Sequence, residues 1–569
     1  MNAHEPNPAQ WFADLLAAQQ SMLLQTGAPG SGTDAAAGSA KALPWLPMTL
    51  ACVEWQQQAM RQFTEWWMTA LPGWGAAPGA AARDRRFAAD PWKQDLRFDA
   101  LARAYLMQSD LLRETLAAAP LDARTKALWG FVLRQATDAL SPGNALLTNP
   151  EALQTAVESG GASLAQGLRL FVEDFAKGRI SITDDTAFEV GRNVATTPGS
   201  VVYENELMQV LQYKPTTAQV HRRPLLIVPP CINKFYILDL QPDNSFVVHA
   251  VAQGHTVFLV SWRNIGPEQD RLGWDDYLEQ GVMRAIDVAL AISRADRINT
   301  LGFCVGGTLL ASALAVMSAK HEDKVASMTL LTTLLDFADS GELGLLVSEQ
   351  SVAAREFSIG RGGVMRGREL AQVFAALRAN DLIWPYVING YLKGNAPPAF
   401  DLLFWNADDS NLPGPMFCWY LRNAYLGNKL REPGGTIQCG VPVDFRSIEI
   451  PAFLYASRDD HIVPWKTAYS STRLLGGEVT FVLGGSGHIA GVINPPGKKK
   501  RNHWLGAVGP GAEDWLKGAR DVPGSWWPEW LAWLKPHAGV MRAAPKKLGN
   551  SQFAPIEAAP GRYAKAKAP

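Results

Sequence analysis

Residues 297–308 read RINTLGFCVGGT, and they decide the fold because they carry a buried strand through a sharp turn into a helix. Gly302 to Gly306 spell Gly-x-Cys-x-Gly, which is the G-x-S-x-G nucleophile elbow with cysteine in place of serine. Small flanking residues are needed because the strand-to-helix turn crowds the backbone. The helix that begins at Val305 places its N-terminal amides beside the Cys304 sulfur, which favours the thiolate. The pentad alone is equally compatible with a tight buried turn, so the rest of the chain must decide.

The sequence around the pentad predicts strands that alternate with helices, which is typical of a mostly parallel sheet. The predicted strands lie over 200–213 (a strand pair), 224–228, 255–262, 297–304, 324–333, 451–457 and 478–483. The carboxyl ends of parallel strands meet at one edge of the sheet, so loops that follow these strands can share one site.

An acid and a histidine follow Cys304 in the chain order of α/β hydrolases, which is nucleophile, acid, base. Asp460 lies in the loop after the strand over 451–457, and His488 lies in the loop after the next strand. We therefore predict that Cys304, Asp460 and His488 form one catalytic group. His461 is the rival to His488, but it adjoins the acid and is assigned to shaping the pocket. We favour Asp460 over Asp459 as the acid, although spacing alone does not settle the choice.

The N-terminal part of the chain predicts a mainly helical domain over residues 1–185. Apolar residues recur there at spacings of three and four, without the alternation of a strand. The predicted helical stretches lie over 10–24, 48–71 and 96–175.

Residues 186–569 are predicted to form an α/β-hydrolase domain with two further features. The strand pattern is interrupted over 338–444 by a segment rich in Trp, Tyr and Phe. An insertion of that size between two core strands predicts a cap over a site, and the alternative is a helical subdomain with an ordinary aromatic core. The tail over 536–569 is rich in Ala, Pro and Lys and is predicted to be disordered.

Composition excludes several classes of function. The 569 residues carry a formal net charge of -1, whereas a dedicated nucleic-acid binder needs a basic face. Five widely spaced cysteines without a CxxC pair predict neither a disulfide framework nor a zinc site. No secretory signal, no apolar run of about 18 residues and no Walker, GxGxxG or HExxH motif is present. We expect a cytoplasmic protein without a membrane span, a metal or a nucleotide cofactor.

Two loops are candidates for binding. Residues 229–234, PPCINK, follow a core strand where these folds supply the second oxyanion amide, and we assign it to Ile232; a tight turn or a cis proline is the alternative. The first oxyanion donor is expected to be the Val305 amide. The basic run from Lys498 to Arg501 follows His488 and fits a phosphorylated substrate, or only a solvated loop.

Four strings together resemble the polyhydroxyalkanoate synthases: PPCINK at 229–234, GFCVGGT at 302–308, DDHIVPW at 459–465 and GSGH at 485–488. The resemblance runs from about residue 87 to 533. Class II members typically have GACAGG and HITPW where this chain has GFCVGG and HIVPW, so the resemblance implies class I and short-chain monomers. The long N-terminal domain agrees with classes I and II.

The resemblance implies roles and partners. Cys304 would be the acylated nucleophile, His488 its general base, and Asp460 the residue that assists the monomer's 3-hydroxyl, either directly or through His488. Asn233 and His461 are assigned to substrate binding. The substrate would be an (R)-3-hydroxyacyl-CoA, with CoA as product, no cofactor, and a growing polymer chain. A homodimer at the surface of polymer granules in the cytoplasm is implied.

Two other functions stay open at this point. A cysteine thioesterase or other hydrolase would use the same three residues, and polymer rather than free 3-hydroxy acid would decide against it. A granule-coat protein with an inactive hydrolase fold is the non-enzymatic alternative. The presence of Cys304, Asp460 and His488 speaks against it.

Overall fold

The computed structural model describes residues 84–568. The helices predicted over 10–24 and 48–71 lie outside the described residues. The described chain divides into two compact units, one of residues 84–181 with 384–396, the other of residues 182–383 with 397–568.

The first unit is helical, as predicted. Its main helices are α1 (Asp90–Gln94), α2 (Leu96–Ala118), α3 (Ala123–Ala139), α4 (Pro150–Glu158) and α5 (Ala162–Lys177), followed much later in the chain by Trp384–Tyr386 and the π-helix Val387–Leu392. The side chains of Asp95, Asp122 and Asn149 accept hydrogen bonds from backbone amides in the first turns of α2, α3 and α4. Such N-caps satisfy amides that a helix leaves unpaired. Helix α5 ends at Gly178, which has a left-handed φ of 66°.

Residues 384–396 correct the predicted extent of the cap. Tyr391 donates a hydrogen bond to the Asp174 carboxylate at 2.9 Å, and Lys393 pairs with Glu151 at 2.6 Å. The Tyr391 ring also meets Phe171 edge to face, with centroids 5.4 Å apart. Residues 384–396 therefore belong to the first unit, so the predicted cap segment 338–444 is not one continuous part of the second unit. The first unit's N-terminal part ends at residue 181 rather than 185.

The second unit is built on one large sheet. Its strands and those of three small ladders are β1 (Gly199–Glu204), β2 (Met208–Tyr213), β3 (Gln219–His221), β4 (Leu225–Val228), β5 (Val257–Trp262), β6 (Ile298–Phe303), β7 (Val325–Leu331), β8 (Val364–Met365), β9 (Leu412–Pro413), β10 (Ile437–Gln438), β11 (Val441–Pro442), β12 (Ala452–Ser457), β13 (Val479–Gly484), β14 (Asn502–Leu505), β15 (Arg520–Pro523), β16 (Met541–Ala543) and β17 (Glu557–Ala558). The large sheet has the order β15-β14-β13-β12-β7-β6-β4-β5-β2-β1-β17.

The centre of this sheet is parallel. Strands β5, β4, β6, β7, β12 and β13 pair in parallel, and antiparallel strands continue the sheet on both sides. Both faces are covered, since Leu225 and Ile227 enter one apolar cluster while Leu226 and Val228 enter the other. Every predicted strand is present, which confirms the α/β class.

Helices cover both faces of the sheet, and several of these helices lie in the predicted cap segment 338–444. They are α6 (Phe246–Ala252), α7 (Trp274–Asp276), α8 (Arg284–Ser293), α9 (Val305–Ala319), α10 (Gly341–Leu345), α11 (Glu349–Ile359), α12 (Gly367–Leu377), α13 (Ala379–Leu382), α14 (Asp401–Asn406), α15 (Gly414–Tyr420), α16 (Trp465–Ser470), α17 (His488–Val492), α18 (Ala512–Gly518), α19 (Trp527–Leu534) and α20 (Gly561–Lys565), with a π-helix at Tyr277–Met283 and another at Leu421–Leu426. In the described range 84–568, no helix combines the length and the apolar character required to cross a membrane.

The tail is ordered, so the predicted disorder over 536–569 is wrong for the described residues. Strand β16 pairs with β3, and β17 adds to the edge strand β1 of the large sheet. Phe553 and Tyr563 are buried. The Ala-, Pro- and Lys-rich composition predicted disorder because it offers few apolar residues. Backbone pairing with an existing sheet edge and two buried aromatic side chains are nevertheless enough to order such a segment.

Candidate active site

Cys304 lies at the turn between β6 and α9, with φ of 54° and ψ of -129°. A non-glycine residue with positive φ is strained and needs surrounding structure to hold it. The Cys304 amide donates to the Leu331 carbonyl at 2.9 Å, and the Thr333 hydroxyl donates to the Cys304 carbonyl at 3.2 Å. The turn is therefore fastened on both sides to the end of strand β7.

The glycines of the pentad are required by close backbone contacts. A Cβ on Gly302 would lie 2.4 Å from the Gly307 Cα, and a Cβ on Gly306 would lie 2.4 Å from the carbonyl oxygens of Val228 and Pro229. Real Cβ atoms do not approach backbone so closely, so the first turn of α9 packs against the end of β4 only because these positions lack side chains.

A Gly306→Ala variant is therefore expected to unfold at a lower urea concentration, with a loss of about 2 kcal/mol in the free energy of unfolding. Gly497→Ala is the matched control, because a Cβ there meets no atom within 4 Å. Urea unfolding followed by tryptophan fluorescence measures both variants. Equal midpoints for the two would contradict the packing argument.

Asp460 and His488 meet at the same edge of the sheet. Asp460 follows β12, and its Oδ1 accepts hydrogen bonds from the amides of Ile462 and Val463 at 2.8 and 2.9 Å. Its Oδ2 lies 2.6 Å from Nδ1 of His488, the first residue of α17. Both residues are buried. The adjacent parallel strands β12 and β13 bring the two loops together, as the order of the loops predicts.

His488 interacts with both Asp460 and Cys304. Burial by itself would lower the pKa of His488, but the negative charges of Asp460 and of the Cys304 thiolate and hydrogen bonds to both raise it to about 10. Since Nδ1 faces Asp460, Nε2 is the nitrogen that faces the sulfur. The Phe303 ring stacks on the imidazole with centroids 5.6 Å apart and holds its plane. This arrangement can accept the thiol proton and keep it on the imidazole.

The two rival residues take other positions. Asp459 is exposed and its amide donates to the Ser486 carbonyl at 3.0 Å. His461 is half-buried, and burial lowers its pKa to about 4, with the charge of Asp460 opposing and that of Arg378 from the cap adding to the effect. The structure thus brings Asp460 rather than Asp459, and His488 rather than His461, into the hydrogen-bonded pair.

The predicted oxyanion donors lie at the start of α9 and in the 229–234 loop. Val305 is the first residue of α9, so its amide is one of those without an acceptor inside the helix. Ile232 lies in the 229–234 loop, which starts at the end of β4 beside the first turn of α9. Cys231 in this loop is buried, and its pKa is raised by burial and by the negative charge of Cys304.

The other predicted binding residues have distinct surroundings. Asn233 has a left-handed φ of 64° and is half-buried. In the basic run, Lys498 pairs with Asp243 at 3.4 Å and hydrogen bonds Asn244, so part of its charge is already engaged. In the range that the structure describes, no cluster of three His, Cys, Asp or Glu side chains is arranged to hold a metal ion.

Two cap tyrosines near the nucleophile were not singled out from the sequence. Burial raises the pKa of Tyr420 and of Tyr425, and the negative charge of Cys304 adds to both effects. Their rings meet edge to face with centroids 5.3 Å apart, and both contact Phe337. The aromatic content of the insertion was the available signal, but nothing in the sequence distinguishes these two rings from the others.

Comparison with known proteins adds two family matches. A family model described as "Poly-beta-hydroxybutyrate polymerase (PhaC) N-terminus" matches residues 83–250. A second, described as "alpha/beta hydrolase fold", matches residues 224–495, which contain all three members of the predicted catalytic group. The predicted α/β-hydrolase fold is confirmed.

Three relatives are similar over most of the chain. The poly(3-hydroxyalkanoate) polymerase subunit PhaC of Cupriavidus necator is 55% identical over 519 residues, which cover 90% of this chain and 88% of the relative. The subunit of the same name from Rhizobium etli is 39% identical over 535 residues, covering 91% and 84%. The poly(3-hydroxyalkanoate) polymerase of Methylorubrum extorquens is 41% identical over 493 residues, covering 85% and 81%.

Proposed function

This chain belongs to the poly(3-hydroxyalkanoate) polymerase family and is an acyltransferase, and from that membership we propose that it polymerises short-chain (R)-3-hydroxyacyl-CoA, chiefly 3-hydroxybutyryl-CoA, with release of CoA. The observation that carries the proposal is the buried Asp460–His488 pair beside a cysteine at a strand-to-helix elbow. A cysteine there suits a thioester substrate, because the acyl group passes from one sulfur to another.

The first step of the proposed reaction loads the enzyme. His488 accepts the Cys304 proton, and the thiolate attacks the thioester carbonyl carbon. The amides of Val305 and Ile232 stabilise the oxyanion that forms. The bond from carbon to the CoA sulfur then breaks, and the proton held by His488 passes to the departing sulfur. The products are an acyl-cysteine thioester and free CoA.

The second step extends the polymer. The 3-hydroxyl group of a bound substrate attacks the carbonyl carbon of the acyl-Cys304 thioester, an ester bond forms, and the bond from that carbon to the Cys304 sulfur breaks, which returns Cys304 as a thiolate. The hydroxyl proton must go to a base, and His488 or Asp460 can take it, the latter either directly or through the imidazole. Asn233 and His461 are proposed to bind the substrate near these groups. The step needs no cofactor, because thioester energy drives ester formation.

Exclusion of water separates polymerisation from hydrolysis. The cap contributes Tyr420 and Tyr425 near the nucleophile, and Phe337 packs against both rings. An apolar covering disfavours attack by water on the acyl-enzyme while a bound hydroxyl remains in reach. This covering supports a synthase over a thioesterase on the same fold.

We place the working enzyme at the surface of polymer granules in the cytoplasm, as a homodimer. The described helices of the first unit expose several large apolar side chains, which fits contact with an apolar polymer: Leu168, Phe171, Val172 and Phe175 on α5, together with Trp129, Leu140 and Leu147.

The product of the reaction tests the proposal. Purified protein is incubated with 3-hydroxybutyryl-CoA, released CoA is measured with a thiol reagent, and the acyl product is separated by size. We expect CoA release together with insoluble polyester. CoA release with only free 3-hydroxybutyrate would make the protein a thioesterase, and no CoA release would refute both activities.

A further inference from the structure

The Lys234 side chain connects the 229–234 loop to the far end of the described chain. Its ammonium is buried and donates hydrogen bonds to the backbone carbonyls of Tyr563 at 3.0 Å and Ala566 at 2.7 Å. Burial lowers the pKa of Lys234 to about 8, against the opposing charge of Asp408. A buried ammonium is costly unless acceptors surround it, so these two carbonyls are needed where the lysine lies. We call residues 561–567 the tail strap.

The tail strap is also tied to the cap. Asp408, just past α14, is buried, and its carboxylate accepts a hydrogen bond from the Tyr236 hydroxyl at 2.7 Å and pairs with Lys567 at 3.1 Å. The Lys567 ammonium also lies over the Phe404 ring, 5.3 Å from its centroid. One short segment therefore contacts both the cap and the residues that follow β4.

The last residue of the 229–234 loop, Lys234, is hydrogen bonded to two separate parts of the chain. The Lys234 carbonyl accepts a hydrogen bond from the Trp405 indole of α14 at 2.6 Å, while its ammonium is held by the tail strap. The strap has its own anchor on the sheet, since the Tyr563 hydroxyl donates to the Asn205 carbonyl at 2.9 Å and β17 pairs with β1. The loop is thus fixed to two elements that are far from it in sequence.

We infer that the tail strap positions the 229–234 loop for acyl transfer, and that Lys234 is the positioning residue through which it acts. The inference rests on the proposed function, in which an amide of this loop stabilises the oxyanion. The loop lies beside the first turn of α9, where Gly306 would clash with Pro229 if it carried a side chain. A shift of about 1 Å in such a donor lowers the rate about 100-fold.

Two variants and their combination test this inference. One ends at Pro560 and lacks the strap, one is Lys234→Met, and the third carries both changes. The first-turnover release of CoA from 3-hydroxybutyryl-CoA is measured for each. We expect the maximal first-turnover rate of each single variant to fall about 10- to 100-fold, with a smaller change in the substrate concentration that gives half of that rate. We expect the combined variant to be no slower than Lys234→Met alone, because both changes remove the same interaction.

Alkylation of Cys304 by iodoacetamide separates positioning from general damage. This reaction needs the thiolate and His488 but no oxyanion donor, so its rate should stay within about twofold of the unmodified chain in all three variants. Peptide mass spectrometry assigns the reaction to Cys304 rather than to the other cysteines. Slowing of alkylation and CoA release by equal factors would mean that the strap is merely structural, and unchanged CoA release after strap removal would also overturn the inference.

A matched pair of point variants covers the case in which the shortened chain does not fold. Lys565 and Lys567 are both exposed and lie two residues apart on the same segment, but Lys567→Ala removes the ion pair with Asp408. We expect slower CoA release for Lys567→Ala and an unchanged rate for Lys565→Ala. Equal rates for the two variants would refute a role for the strap.

Hydrogen exchange distinguishes failure of this inference from failure of the proposed function. If the unmodified chain releases no CoA, the proposed function is wrong. The strap is then judged by amide exchange in peptides that cover residues 229–238. Faster amide exchange in the chain that ends at Pro560 and in the Lys567→Ala variant supports positioning of the loop by the tail strap. Unchanged exchange in both variants refutes it.

Discussion

A Cys304→Ala variant is expected to release CoA from 3-hydroxybutyryl-CoA about 10⁴-fold more slowly than the unmodified chain and to form no polymer. The methyl group cannot form the acyl thioester, and the remaining oxyanion donors only stabilise attack by water. The strained turn itself should persist, because the two hydrogen bonds that hold residue 304 involve its backbone amide and carbonyl. Thermal unfolding should therefore change little.

Mass spectrometry of the acylated protein gives the direct measurement. After brief exposure to substrate, the peptide that contains Cys304 should gain the mass of a hydroxybutyryl group or a short oligomer. Cys439→Ala is the control, because this half-buried thiol lies outside the predicted catalytic group and its contact with the Asp275 carbonyl is long, at 3.9 Å. Its rate should remain within about twofold of the unmodified chain. An acyl group on a different cysteine, or polymer made by the Cys304→Ala protein, would remove Cys304 from the mechanism.

A His488→Gln variant is expected to lose about 10³-fold or more in first-turnover CoA release, since the thiol then has no base. Glutamine retains a group that can hydrogen bond Asp460, so the buried carboxylate keeps a partner and the fold should survive. His461→Gln is the comparison, because that imidazole lies next in sequence to the same acid but outside the pair. Because His461 is a proposed substrate-binding residue, its loss should weaken substrate binding more than it slows the chemical step. A loss in His461→Gln as large as that in His488→Gln would show that the two histidines have been assigned the wrong way round.

An Asp460→Asn variant distinguishes acylation of Cys304 from growth of the polymer, and it should change the pH dependence of CoA release. The charge of Asp460 raises the pKa of His488, so the asparagine variant should lose the imidazolium at lower pH. The alkaline limb of the rate of CoA release should therefore move to lower pH than in the unmodified chain. If Asp460 activates the hydroxyl directly, polymer growth should fall further than loading does. An alkaline limb that does not move would contradict the coupling between the two residues.

The position of the predicted catalytic group, Cys304, Asp460 and His488, follows from local sequence features. The pentad, the strand before it and the apolar helix after it are each determined by residues that lie close together in the sequence. Strand β12 precedes Asp460 and β13 precedes His488, and parallel strands must end at the same edge. The sequence could therefore predict that the three residues meet, and loop order favoured His488 over His461. Spacing left the choice between Asp459 and Asp460 open, and the hydrogen bond at 2.6 Å joins Asp460 to His488.

Other features depend on contacts between distant parts of the chain. Residues 384–396 join the helical unit because Tyr391 and Lys393 find acidic partners there. Tyr420 and Tyr425 look like any other aromatic residues of the insertion until the cap brings them near Cys304. Neither outcome leaves a periodic pattern or a motif in the sequence, so neither could be predicted from it.

By itself the sequence determined the α/β class, the order of the core strands along the chain, the cysteine elbow and the loops that carry Asp460 and His488, because periodicity, turn residues and loop order are local properties. Only the tertiary structure decided that the tail is ordered, that β17 extends the sheet beside β1, and that Lys234 is buried against the tail strap. Those contacts pair residues hundreds of positions apart, and their stability comes from burial and hydrogen bonds that exist only after the core has formed.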